Sequence, residues 1–215
     1  MNFKNKKILI TAGPTWIAVD AVRVISNFAT GETGILLAEK FNKSGAKVTL
    51  ILGPVGNCSL NKRIKLERFC FYQELKSGLQ RELKKHRYDA VIHTAAVSDY
   101  QMLRTFRHKI RSGIKKLSLE LGPTPKIINS IKKIAPYSLA VGFKFEPGAS
   151  REKIIRESKG LLRRAGLDLV VANTITKKSY RAYIVSPRGT YGPFRKKQVM
   201  VRALADLIKV RLCGN

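Results

Sequence analysis

The apolar residues of this chain fall into short continuous runs separated by segments with helical spacing. Continuous runs over residues 7–12 and 48–52 are each followed by a Gly-Pro pair, which predicts buried strands that end in turns. Between them, apolar residues at helical spacing predict a helix over residues 31–44, and Gly45 supplies its stop. This order of strand, helix and strand predicts a right-handed crossover and a parallel pair of strands.

The same alternation continues to the end of the chain. Further strands are predicted over residues 88–97, 117–121, 139–145, 167–172 and 181–185, and further helices around 75–83, from 125, over 151–165 and around 200–212. We therefore expect one domain, residues 1–215, with an α/β fold: a Rossmann-like, doubly wound, mostly parallel sheet with a small antiparallel extension. Residues 98–112 show little apolar periodicity, and loops of that length in compact domains are functional or disordered.

The balance of charge is strongly basic. The chain has 42 lysines and arginines against 14 aspartates and glutamates, a net charge of +28, which indicates anionic substrates or partners. Because the basic residues are scattered along the whole sequence, the excess is equally typical of a generally basic surface. A noncatalytic α/β module that binds nucleic acid, with an affinity that falls steeply with salt, therefore stays open at this point.

Cysteine usage and hydropathy indicate the compartment. Cys58, Cys70 and Cys213 are odd in number and lack C-x-x-C spacing, so neither a disulfide framework nor a zinc site is suggested. The first residues contain no signal-peptide apolar core, and no run of about 18 apolar residues could span a bilayer. We expect a protein of the reducing cytoplasm with no membrane partner.

Motifs of several common enzyme classes are missing. The G-x-G-x-x-G fingerprint of dinucleotide binding is absent, and Gly53-Pro54 follows the second strand where a ribose-binding Asp or Glu belongs, so an NAD(P)-dependent oxidoreductase is disfavoured. The G-x-x-x-x-G-K-[ST] phosphate loop, the G-x-S-x-G elbow and paired metal-binding histidines are also absent. His93 lies within an apolar strand, which favours a hydrogen-bonded core histidine.

A set of ordered motifs resembles one enzyme family. They are Ile10-Thr-Ala-Gly-Pro-Thr15 with Asp20-Ala-Val-Arg23 and Ile25-Ser-Asn27, then Gly53-Pro54-Val55, Thr94-Ala-Ala-Val-Ser-Asp-Tyr100, Lys109-Ile-Arg-Ser112, Val141-Gly-Phe143 and Leu167-Asp-Leu-Val-Val-Ala-Asn173. Together they cover nearly the whole chain and resemble phosphopantothenoylcysteine synthetases. The resemblance is to the synthetase part of a bifunctional synthetase/decarboxylase family, so a separate decarboxylase is a candidate partner.

The resemblance implies a two-step ligase of coenzyme A biosynthesis. The carboxylate of 4'-phosphopantothenate attacks the α-phosphate of a nucleoside triphosphate to give an acyl-nucleotidate, and the amine of cysteine then displaces the nucleotide. The resemblance implies CTP as the nucleotide, as in bacterial members of the family, with ATP, which eukaryotic relatives use, as the alternative. It also implies Mg²⁺ as the accompanying ion. The resemblance also implies a homodimer, and it does not require nucleic acid.

Individual site residues follow from the same resemblance. Asn27 and Arg23 match positions that form the acyl-nucleotidate, and Lys109 matches the lysine of the second half-reaction, in a basic active-site loop. Nucleotide-binding positions are matched by Gly13, Pro14, Thr15, Ala95, Ala96, Asp99, Pro125, Lys126, Ile127, Ile128 and Phe143. No residue is expected to ligate a metal ion.

Several positions depart from the family pattern. Trp16 stands where the family has a basic residue, Glu32 where it often has a lysine, and Ser112 at the last position of a K-x-K-K-like motif. Two further family lysines are missing, and the residues at and near their positions are Leu161, Ala165, Lys159, Arg163 and Arg164. The three basic residues of that group are candidates to replace the missing lysines.

Overall fold

The computed structural model describes residues 2–176 and 179–214. Its strands are β1 (Lys7–Ala12), β2 (Trp16–Ala18), β3 (Val24–Ser26), β4 (Lys47–Leu52), β5 (Lys65–Arg68), β6 (Ala90–His93), β7 (Tyr100–Met102), β8 (Leu121–Pro123), β9 (Leu139–Phe145), β10 (Leu169–Thr176), β11 (Ser179–Ser186) and β12 (Gly189–Phe194). Its helices are α1 (Glu32–Lys43), α2 (Tyr72–Lys85), α3 (Ile128–Ile134), α4 (Arg151–Ala165) and α5 (Lys197–Cys213).

Eight strands form the central sheet in the order β12-β11-β10-β9-β6-β1-β4-β5. The six strands from β10 to β5 are parallel, and β11 and β12 extend the sheet with antiparallel pairing. The doubly wound prediction and its antiparallel extension are thereby confirmed. The strand order reverses between β1 and β6, and ligands of such sheets bind outside the carboxyl ends of the strands at this switch point.

Strand β1 shows why the sheet is continuous and buried. Ile8 and Ile10 pack on one face of the sheet in a cluster that includes Phe41 of α1, while Leu9 packs on the other face in a cluster that includes Leu79 of α2. Helices therefore cover both faces, which is why the strand reads as an unbroken apolar run. Burying each such side chain stabilises the fold by about 1.5–3 kcal/mol.

Short strands account for the main differences from the sequence predictions. The strand expected over residues 117–121 forms only from Leu121, as β8, and it pairs with β7, which lies inside the expected loop. The strand expected over residues 88–97 ends as β6 at His93, after which the chain turns. The β2–β3 hairpin was not predicted, because strands of three residues are too short to show a periodicity.

Across residues 2–176 and 179–214, no helix combines the length and apolar character that a transmembrane span requires.

Candidate active site

A cavity of about 1030 Å³ opens at the switch point of the sheet. The turn after β6 and the first turn of α3 line one side, and the end of β9 with α4 lines another. The segment from Asn27 to Thr33, the start of α5 and the end of β10 also line the cavity. The cavity is large enough for a nucleotide and a second small substrate, since ligand pockets span about 300–1,000 Å³.

The turn after β1 needs glycine for two reasons. Gly13 has a φ of 80°, and a Cβ on it would lie 3.1 Å from the backbone nitrogen and Cα of Gly53. The carbonyl of Gly13 accepts a hydrogen bond from the backbone N–H of Ala96 at 2.9 Å. The turns after β1, β4 and β6 are therefore held in direct backbone contact.

Pro14 and Thr15 continue this contact. Pro14 forms a parallel bridge with Ala96, and the buried Thr15 hydroxyl accepts a hydrogen bond from the N–H of Ser98 at 2.9 Å. The expected nucleotide residues Gly13, Pro14 and Thr15 thus lie beneath the turn after β6, outside the cavity lining, and they shape that turn from below.

Asn27 reaches the same turn from the hairpin. It follows β3, lines the cavity and donates from Nδ2 to the carbonyl of Ala96 at 3.0 Å. Ala95 and Ala96 line the cavity beside it, and their small side chains leave the backbone accessible. The structure therefore brings the carboxamide of Asn27 and the small-residue turn together.

Arg23 has a different location, in the loop of the hairpin. Its guanidinium is ion-paired with the carboxylate of Asp20 and donates to the carbonyl of Ile110 at 3.3 Å. The same carboxylate accepts from the backbone N–H of Ile110 at 3.0 Å. The pKa of Asp20 is lowered to about 2, chiefly by the Ile110 N–H, which with the N–H groups of Val22 and Arg23 and the guanidinium outweighs burial.

These contacts hold the middle of a basic segment that we name the flap, residues 103–120 between β7 and β8. The flap contains six lysines and arginines against a single glutamate. Lys109 lies in it, exposed and immediately before the anchored Ile110. Neither Arg23 nor Lys109 lines the cavity: Lys109 lies on the flap, and Arg23 contacts the flap from the hairpin.

Asp99 and Lys126 form an ion pair at the mouth of the cavity. The ammonium of Lys126 contacts the carboxylate of Asp99, and both side chains are more than half exposed. The pair joins the turn after β6 to the start of α3. An incoming ligand that hydrogen-bonds with Asp99 would therefore compete with Lys126.

An apolar wall lies behind this pair. Ile127, Ile128 and Phe143 line the cavity between α3 and β9. Pro125 is outside the lining, and its carbonyl accepts a hydrogen bond from the hydroxyl of Tyr72 at 3.0 Å, which fixes the chain before α3. A flat heteroaromatic base fits an apolar wall of this kind, since such surfaces favour stacking.

Two lysines at the cavity form ion pairs that were not predicted from the sequence. Lys144 lies 3.0 Å from carboxylate oxygens of both Glu146 and Glu157, and Lys197 pairs with Glu32. Burial opposes the charge of Lys144, but its two hydrogen-bonded carboxylates outweigh burial and raise its pKa. The only sequence signal for the second pair was a glutamate, Glu32, at a position where the family often has a lysine. Its partner, Lys197, lies 165 residues away in the sequence.

The structure also distinguishes the candidates for the missing lysines. Leu161 lines the cavity and Ala165 is buried. Arg164 lines the cavity, whereas Lys159 and Arg163 line a separate groove on α4. Arg164 is thus the candidate that the fold presents to a ligand.

His93 is a hydrogen-bonded core residue, as predicted. It is 6% exposed, and its Nδ1 is hydrogen-bonded with Oγ1 of Thr11 at 2.7 Å. Burial lowers its pKa to about 4, so the imidazole is neutral at physiological pH. Among the described residues, no group of three or more His, Cys, Asp or Glu side chains could hold a metal ion.

Comparison with known proteins identifies the family. The model of the DNA/pantothenate metabolism flavoprotein C-terminal domain matches residues 3–209. The chain belongs to this family. The coenzyme A biosynthesis bifunctional protein CoaBC of Thermococcus kodakarensis is 40% identical over 175 residues, which cover 81% of this chain and 42% of the relative. The chain therefore spans about two fifths of the length of the curated relatives it matches.

Solved members of the family share the fold. The DNA/pantothenate metabolism flavoprotein from Streptococcus pneumoniae superposes with a TM-score of 0.86 at 25% identity, covering 96% of this chain and 99% of that one. The C-terminal domain of a coenzyme A biosynthesis bifunctional protein CoaBC gives 0.82 at 25% identity, covering 99% and 98%. The chain thus corresponds over its length to the C-terminal domain of the bifunctional proteins.

Proposed function

We propose that this chain is a ligase that joins 4'-phosphopantothenate to cysteine in coenzyme A biosynthesis. The observation that carries the proposal is the cavity at the switch point, which gathers Asn27, Ala95, Ala96, Asp99 and Phe143 from three segments of the chain. Membership of the pantothenate metabolism family and the names of the coenzyme A biosynthesis relatives support the same activity.

The proposed chemistry needs no covalent enzyme nucleophile. A carboxylate oxygen of phosphopantothenate attacks the α-phosphate of the nucleotide, and pyrophosphate leaves. The amine of cysteine then attacks the acyl carbon, and the nucleoside monophosphate leaves with that oxygen. Positioning and charge stabilisation supply such catalysis, which suits a cavity with cations at its walls.

Asn27 and the flap would divide these steps. The Asn27 amide, fixed by its bond to Ala96, orients the reacting carboxylate and α-phosphate in the first step. Lys109 serves the second step from the flap, where a flexible ammonium can approach the bound intermediate. Arg23 supports both steps by holding the flap through Asp20 and Ile110.

The nucleotide would bind along the opposite wall. Ala95, Ala96 and Asp99 contact it at the turn after β6, and the segment from Lys126 through Ile128 contacts it with Phe143. Gly13, Pro14, Thr15 and Pro125 support these contacts from beneath. We propose CTP as the nucleotide, with ATP as the alternative. The rates of turnover with CTP and with ATP distinguish the two.

Mg²⁺ would enter with the triphosphate. The described residues offer no cluster of three metal ligands, and the carboxylates of Asp99 and Glu157 at the cavity are each paired with a lysine. This donor set does not fit a protein-held ion. It fits an ion bound mainly by substrate phosphates and water, as is common for Mg²⁺.

We also propose that the active form is a homodimer. The hairpin leaves Val22, Val24 and Ile25 exposed, and the Phe28 ring beside Asn27 is fully exposed. Exposed apolar side chains grouped in one segment are typical of a protein contact. Sedimentation equilibrium should give twice the mass of the chain and a monomer for Phe28→Ser, and a monomeric wild type would contradict the proposal.

Two aspects of the biological setting complete the proposal. Free Cys58 and Cys70 fit the reducing cytoplasm that cysteine usage predicts. A decarboxylase would use the product, because the family resemblance joins ligation to decarboxylation. Neither aspect changes the chemistry proposed for the cavity.

The activity has a direct test. The protein is incubated with phosphopantothenate, cysteine, Mg²⁺ and either CTP or ATP, and pyrophosphate release is followed together with the mass of the product. We expect cysteine-dependent turnover with CTP exceeding that with ATP. Absence of turnover with both nucleotides would overturn the proposed function, whereas a preference for ATP would overturn only the choice of nucleotide.

A further inference from the structure

Four basic side chains line the cavity, and three of them are already paired with carboxylates. Lys126 pairs with Asp99, Lys144 with Glu146 and Glu157, and Lys197 with Glu32. Within residues 2–176 and 179–214, the fourth, Arg164, has no carboxylate within ion-pair distance. Arg164 therefore faces the cavity with its full charge available to a ligand.

The helix makes room for this guanidinium. Gly160 lies one turn before Arg164 in the interior of α4, where glycine is destabilising relative to alanine. A Cβ at Gly160 would lie 3.0 Å from Nη1 of Arg164. Long side chains on a helix lean toward its N-terminus, so the guanidinium of Arg164 lies over the surface that Gly160 leaves free.

The same face of α4 carries the other residues that line the cavity. Glu157, Leu161 and Arg164 follow at intervals of four and three residues, which places them in one row. Glu157 is paired with Lys144 at one end of the row, and Leu161 lies between it and Arg164. A ligand group that reaches Arg164 is thus flanked by an apolar side chain, which strengthens its attraction to the cation.

We propose that Arg164 binds a phosphate group of a phosphorylated substrate in this cavity. A guanidinium binds phosphate with two parallel hydrogen bonds, and an uncompensated arginine beside apolar groups is suited to a dianionic phosphate rather than to a neutral group. The inference rests on the proposed function for the identity of the substrates. The nucleoside triphosphate and phosphopantothenate both carry phosphate, and separate titrations distinguish them.

The test compares Arg164→Gln with Arg163→Gln. The two variants remove the same charge from adjacent residues of α4, but Arg163 lines the separate groove. CTP, ATP and phosphopantothenate are each titrated alone into both variants and the wild type by calorimetry. We expect Arg164→Gln to lower the affinity for at least one of the three ligands about 10- to 100-fold, since a hydrogen bond to a charged group contributes at this level. The affinities of Arg163→Gln should stay within about twofold of those of the wild type.

The ligand that is weakened identifies the source of the phosphate. Weaker binding of both nucleotides assigns the phosphate group to the triphosphate. Weaker binding of phosphopantothenate assigns it to that substrate. Arg164→Lys should recover part of the lost affinity, because it restores the charge without the two-pronged geometry. This variant also tests the inference if Arg164→Gln fails to fold, which circular dichroism would reveal. The Arg164→Lys variant must then bind at least one ligand more weakly than the wild type does.

Other outcomes overturn the inference. Equal affinities for the two glutamine variants, or wild-type affinity in Arg164→Lys together with an unfolded Arg164→Gln, would contradict a phosphate contact by Arg164. A wild type that binds none of the three ligands would contradict it as well. If the wild type binds a ligand but forms no product, the proposed function fails while the comparison of the variants still stands.

Discussion

The buried carboxylate of Asp20 accepts a hydrogen bond from the backbone N–H of Ile110 at 3.0 Å, across 90 residues of sequence. The guanidinium of Arg23 contacts both the carboxylate and the Ile110 carbonyl. A second bond, from the N–H of Phe106 to the carbonyl of Val19 at 3.1 Å, joins the same two segments. The loop of the hairpin is therefore the anchor of the flap.

Asp20→Asn should loosen the flap. The amide keeps the size of the side chain but loses the charge that pairs with Arg23 and the capacity to accept three N–H bonds. We expect turnover to fall about 10- to 100-fold, as misplacement of a catalytic group commonly does. Because the flap is rich in lysine and arginine, limited digestion with trypsin should cleave it faster in the variant.

The matched control for this change is Asp206→Asn. Asp206 is exposed on α5, and it has no ion pair within the described ranges. Its variant should keep the wild-type rates of turnover and of tryptic cleavage. Unchanged flap cleavage in Asp20→Asn would show that the anchor lies elsewhere.

Asn27→Ala and Lys109→Ala should fail at different steps. Loss of the Asn27 amide removes an orienting group of the first step, so no acyl-nucleotidate should form. Loss of the Lys109 ammonium should let the acyl-nucleotidate accumulate, because the second step is slowed by about 10²–10³. Rapid quenching and mass spectrometry would detect the intermediate. Loss of the intermediate in both variants would contradict the proposed division of roles.

Gly13→Ala should destabilise the whole fold rather than only the site. A non-glycine residue at a φ of 80° is strained, and the Cβ would lie 3.1 Å from the backbone of Gly53. The free energy of unfolding in urea should fall by about 2–4 kcal/mol. Gly56→Ala is the control, since a Cβ there has nothing within 4 Å and should change stability by less than about 0.5 kcal/mol.

The parallel core could be predicted from sequence because its signals are local. Strand β1 and helix α4 lie where the apolar pattern and the glycine stops predict them. The pairing of β7 with β8 depends on a contact across the whole flap, which no local window contains. Alternating leucines in the flap gave a misleading strand signal, and Leu117 is exposed instead.

Part of the candidate site could likewise be predicted from the sequence, and part could not. Motifs matched to the family predicted the turn after β6, whose residues Ala95 and Ala96 line the cavity. The pairing of Lys197 with Glu32, at opposite ends of the chain, was beyond any motif. Arg164 could be named as a candidate, but its direction depends on how α4 packs beside β9, which only the folded chain determines.

In the proposed reaction, the carboxylate of phosphopantothenate is activated as an acyl-nucleotidate, and its acyl group is then transferred to cysteine. Phosphopantothenate labelled with ¹⁸O in its carboxylate, turned over with CTP, Mg²⁺ and cysteine, tests this claim most directly. We predict that each nucleoside monophosphate released carries one ¹⁸O atom in its phosphate, which mass spectrometry would detect. Product formation without ¹⁸O in the nucleotide would contradict it.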